Sequence, residues 1–135
     1  MIDDITHKLA PYEGSVFNTL NGDANVIFFQ KLFAAGYTGD KAPVCSVSIG
    51  EPEVASMNAG GLLLNQLASW TYFHTVDNSA NRRWIANCQN MHGGPRVMSD
   101  PMECAYNSVI LWSKAVELSN SFDVDDIRPA VVGVA

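Results

Sequence analysis

Residues 15–36 read SVFNTLNGDANVIFFQKLFAAG. The stretch opens with SVFNTL at 15–20, a short β-strand pattern. Asn21-Gly22-Asp23 is a turn that opens a helix. The helix is expected over 24–35, with Val26, Phe29, Leu32 and Phe33 on one face. Gly36 supplies its stop. A strand, a tight turn and an amphipathic helix within 22 residues make one unit of an alternating α/β chain.

The pattern extends in both directions. Residues 2–9 read as the end of a helix, with Ile2, Ile5 and Leu9 at helical spacing, and Pro11 and Gly14 break it. PVCSVSI at 43–49 is a second strand. Gly50-Glu51-Pro52-Glu53 then starts a short helix to Met57, since Pro and acids suit a first turn. Gly60-Gly61 precedes a third extended run over 62–70. Asn78-Ser79 caps a helix carrying Trp84, Ile85, Cys88 and Met91, which ends at Gly93-Gly94. Ser99-Asp100-Pro101 starts a long helix over 101–118, with Ala105, Val109, Trp112 and Val116 as its apolar face. A last helix begins at Asp123, with Ile127 and Val131 inward and Pro129 inside it.

The expected order is α-β-α-β-α-β-α-α-α. It predicts one domain over residues 1–135: a three-layer, Rossmann-like α/β fold with a short, mostly parallel sheet of three strands. In such sheets ligands bind beyond the carboxyl ends of the strands. Residues 18–23, 48–51 and 69–72 should therefore share one edge, and each is polar or aromatic where the preceding strand was apolar.

Composition narrows the function. With 47% hydrophobic and 16% charged residues the chain is globular rather than disordered. Eight Lys and Arg against fourteen Asp and Glu give a net charge of −6. The basic residues are scattered, which argues against a nucleic-acid partner or an anionic membrane surface. No apolar run approaches the ~20 residues of a membrane span. The opening MIDDITHKLA has two early acids and neither a basic start nor an apolar stretch, so it does not read as a signal peptide; the expectation is either a chain that is cytoplasmic as written or one whose leader has been lost or cut off. Cys45, Cys88 and Cys104 fit no zinc spacing and read as three buried thiols. There is no G-x-S-x-G elbow, and His7, His74 and His92 have no nucleophile or orienting acid at a motif spacing. The expectation is no catalytic centre, no metal and no cofactor.

Three segments carry alternative readings. Asn21 and Asp23 either cap the following helix or leave its N–H groups to a ligand oxygen. Ser48 and Glu51 either cap the next helix or hold a polar amide, the carboxylate accepting its N–H donors. Trp70, Tyr72 and Phe73 either wall a small-ligand pocket or belong to the core.

Taken in order, SVFNTLNGDANVIFFQKLFAAG, PVCSVSIGEPEV, the run ending WTYF, and SDPMECAYNSVILWSKAVE resemble the type I periplasmic binding proteins. The nearest likeness is to the urea and short-chain-amide receptors of ABC transporters, with the amide-sensing regulators of amidase operons as cousins. The resemblance covers nearly the whole chain and corresponds to the later part of the second of two Rossmann-like lobes. It implies a small polar solute, such as urea or a short amide, as partner. It also implies that Asn18, Thr19, Asn21, Ser48, Ile49, Glu51, Trp70, Tyr72 and Met102 face the inter-lobe cleft. Two departures stand out. Gly50 and Pro52 occupy positions where the family usually has a second acid or a small residue, and LLLNQL replaces the His or aromatic expected in the third strand.

One wall of such a cleft buries only part of a small ligand. The alternative reading is therefore an oligomeric structural or interaction module that has lost solute binding. A homo-dimer or higher homo-oligomer, most simply two-fold, is expected, covering a sheet face that would expose Val16, Phe17, Val44 and Val47; the alternative is a monomer whose last two helices fold back over that face.

Overall fold

A computed structural model describes residues 2–9, 14–57 and 61–134. Pro11 and Gly60, two expected break points, lie outside the described residues. The elements run α1 (Ile2–Leu9), β1 (Val16–Asn18), α2 (Ala24–Ala34), β2 (Val44–Ser46), α3 (Glu51–Ser56), β3 (Leu67–Ala68), α4 (Ser79–His92), α5 (Asp100–Ser119) and α6 (Val124–Val132). This is the expected order. The sheet is parallel throughout, in the order β1-β2-β3. The fold is mixed α/β and fits a partial Rossmann-like lobe.

The described residues form two compact units, one ending at Ser99 and one beginning at Asp100. In the first, Phe28, Phe29 and Leu32 of α2 pack with Val44 and Ile49, and Ile2, Ile5, Val16 and Leu20 close around them. Burying each such side chain contributes about 1.5–3 kcal/mol. In the second, α5 and α6 pack on one another, and Ala115 and Ile127 are buried.

The strands are shorter than their patterns. The expected run at 62–70 yields two strand residues, because 61–65 coil into turns in which Asn65 takes a positive φ of 60°. That turn lies against Gly39: a Cβ there would sit 2.3 Å from the Asn65 carbonyl carbon.

Several helix and sheet faces are rotated from expectation. The inward stripe of α2 is Asn25, Phe28, Phe29 and Leu32, while Phe33 is 44% exposed. A buried asparagine belongs to the stripe, and it displaces the apolar pattern by one position. On α4 the inward residues are Asn81 and Trp84, and Met91 projects into solvent. On α5, Val109 and Trp112 are exposed and Ala115 is buried; this helix carries apolar residues around most of its circumference, so periodicity did not single out a face. Val44 is fully buried and Val16 packs on the core, whereas Phe17 is 68% exposed. The pleat explains the split: Val16, Asn18, Val44 and Ser46 point towards α2, and Phe17 points the other way. The thiols are not buried either, since Cys104 is exposed and Cys45 and Cys88 are intermediate.

Candidate functional site

At the carboxyl ends of β1 and β2 the sequence places polar residues on the inward face, and burial forces them to pair. Asn18 and Ser46 are register partners, and Asn25 of α2 lies over them. All three are almost wholly buried. Asn18 Nδ2 donates to Asn25 Oδ1 at 2.8 Å and to Ser46 Oγ at 3.0 Å. Asn18 Oδ1 accepts from the Leu20 N–H, and Asn25 Nδ2 donates to the Leu20 carbonyl at 2.8 Å. Buried amides left unpaired would each cost about 1–3 kcal/mol, so this closed network fixes the turn out of β1.

The loop after β2 is tied to the same carbonyl. Ser48 Oγ donates to Leu20 O. Ile49 is buried, and its carbonyl accepts from Trp70 Nε1 at 2.7 Å. The Gly50 N–H donates to Glu53 Oε2 at 2.9 Å, so Glu53 closes the start of α3. Glu51 Oε1 accepts from the His74 N–H at 2.7 Å. Among the described residues Glu51 Oε2 has no hydrogen-bond partner, and the side chain is half-buried.

The loop after β3 hangs on α4. Tyr72 is buried with its ring edge-on to Trp84, centroids 5.3 Å apart, and its hydroxyl donates to Asn81 Oδ1 at 2.8 Å. Asn81 Nδ2 donates to the carbonyls of His74 and Val76. Asn78 caps α4 by accepting from the Asn81 N–H at 2.7 Å.

The structure thus brings Asn18, Thr19, Asn21, Ser48, Ile49, Glu51, Trp70 and Tyr72 to one edge of the first unit. Their states differ. Thr19 and Asn21 are exposed, Glu51 offers a carboxylate oxygen, and Asn18, Ser48, Trp70 and Tyr72 spend polar atoms on the protein itself. Met102 lies in the second unit, on α5. Asp23 stands at the cap position of α2 without a side-chain cap bond. An open cavity of about 290 Å3 lies between α2 and α3, lined by Asp23, Val26, Pro52, Glu53, Ser56 and Met57; none of the nine residues above lines it.

Sequence reasoning missed Asn25, Ser46, His74 and Asn81. The first two were detectable: Ser46 shares the parity of Val44, and Asn25 precedes Phe28, Phe29 and Leu32 at helical spacing. His74 and Asn81 carried no such signal, because their partners come from distant loops.

Among the described residues no group of three His, Cys, Asp or Glu could hold a metal ion. No described helix is long and apolar enough to cross a membrane. No curated protein matches the chain. The family model of the periplasmic binding protein domain matches residues 1–135. A parallel α/β unit with polar groups gathered at the carboxyl ends of its strands is the arrangement that solute receptors use, and the chain belongs to the periplasmic binding protein domain family.

Proposed function

We propose that this chain is a solute-binding lobe, not an enzyme, and that it takes a small polar amide or urea at the carboxyl ends of its strands. The observation that carries this reading is Glu51. Its Oε1 is held by the His74 N–H, which aims the carboxylate, while Oε2 remains for a ligand N–H. Urea and primary amides present such donors beside a carbonyl. Thr19 and Asn21, exposed on the neighbouring loop, carry donors for that carbonyl. A role as receptor of an ABC transporter follows from the resemblance to the urea and amide receptors.

Calorimetry with urea, formamide and acetamide tests it. Glu51→Ala should abolish binding. Glu51→Gln keeps an acceptor for the His74 N–H and should still weaken binding about tenfold, since a charge-assisted bond becomes a neutral one. Unchanged affinity in Glu51→Gln would rule out the carboxylate as a ligand.

A second reading has its own observation. Phe17, Cys45 and Leu67 form one row across the sheet, and Phe17 and Leu67 are 68% and 58% exposed. In this reading the row packs against a second copy and the chain is an oligomeric module. Sedimentation at micromolar concentration decides it: a monomer mass independent of concentration would refute it, and Phe17→Lys should dissociate any dimer.

A further inference from the structure

We propose that His74 is a proton-operated latch on residues 95–99, the segment that leads the chain into α5. The inference stands on the fold and does not depend on the identity of any ligand.

The geometry is specific. The Met98 N–H donates to His74 Nδ1 at 3.1 Å. A backbone N–H can only donate, so Nδ1 carries a lone pair and the ring is the neutral tautomer with its proton on Nε2. Met98 is 2% exposed and Ser99 8%, so the end of the segment is packed down where water is a poor substitute for the ring, while Pro95 and Arg96 are exposed. Protonation turns Nδ1 into a donor. Two N–H groups then face each other, and the Met98 bond cannot persist.

The rest of His74 is fixed. Its N–H donates to Glu51 Oε1 at 2.7 Å, and its carbonyl accepts from Asn81 Nδ2 at 3.0 Å. The backbone is therefore pinned by α3 on one side and α4 on the other, and titration acts on the link between the ring and Met98. The carboxylate bonded to this residue is Glu51, and it meets the backbone N–H rather than the ring. From α4 comes the neutral Asn81. Asp77, in the same loop, is paired with Arg82, and Asp100 follows Ser99 in the chain. The neutral ring holds the segment, and the charged ring releases it.

Amide hydrogen exchange read by NMR on the whole chain tests this between pH 8 and pH 5, with rates corrected for intrinsic pH dependence. Protection of the Met98 amide should fall about tenfold or more, with a midpoint equal to that of the His74 ring signals. His74→Phe has neither acceptor nor titrating proton, and its Met98 amide should be weakly protected at every pH. The double variant His7→Gln/His92→Gln, altered at two exposed positions, should keep the wild-type response. Constant Met98 protection while the His74 ring titrates would overturn the proposal. So would a midpoint unrelated to that ring, or a fall of the same size in His74→Phe. Should His74→Phe fail to fold, the agreement of midpoints in the wild-type chain decides alone.

Discussion

Asn18 of β1 and Asn25 of α2 face each other across 2.8 Å, one amide donating to the other, with 3% and 0% of their surfaces exposed. This bond joins the strand to the helix that follows it. Asn25→Ala should destabilise the protein by about 1–3 kcal/mol, because Asn18 Nδ2 and the Leu20 carbonyl each lose a partner inside the core. Asn18→Ala should cost a similar amount, and the double variant less than the sum. Urea unfolding monitored by circular dichroism measures all three; strictly additive losses would show that the two amides act independently.

Gly39→Ala should be destabilising by about 1–3 kcal/mol. The added Cβ would meet the backbone of Asn65 and Leu64, with the Asn65 oxygen at 2.3 Å. Backbone cannot swing aside as a side chain can. A thermal midpoint equal to the wild type's would mean that the turn at 61–65 is not seated against Gly39.

Asn81→Ala should cost more than Tyr72→Phe. The tyrosine change removes one hydroxyl bond, worth about 1 kcal/mol. The asparagine change removes the bonds to the Tyr72 hydroxyl and to the His74 and Val76 carbonyls together, for which about 2–4 kcal/mol is expected. Chemical denaturation of the two variants side by side gives the order, and a reversed order would remove Asn81 from the centre of this loop.

Pro129 stands inside α6, where it withholds one N–H from the helix. Pro129→Ala should stabilise α6 by about 1–3 kcal/mol. Far-ultraviolet circular dichroism should show more helix and a higher thermal midpoint; a loss of stability would indicate that the ring makes packing contacts outweighing the missing bond.

The order of elements was legible in the sequence because it depends on local signals. SVFNTL, NGD and the helix after them are set by side-chain spacing and turn chemistry within a few residues, and the boundaries of α2 and α4 follow within a residue or two. The edge that bears the candidate site was legible for the same reason: in a parallel α/β chain the loops after successive strands must share one end.

The pairings along that edge were decided by tertiary structure. Burial removed Asn18, Asn25 and Ser46 from water and obliged them to bond one another, which turned α2 by one position from its purely apolar face. Ser48, Trp70 and Tyr72 look free in the sequence, yet their polar atoms serve Leu20 O, Ile49 O and Asn81. The sequence alone determined the α/β alternation and the family to which this chain belongs. Only the folded chain decided which polar groups stay open to a ligand, because a hydrogen-bond partner 21 or 28 residues away leaves no mark on local pattern.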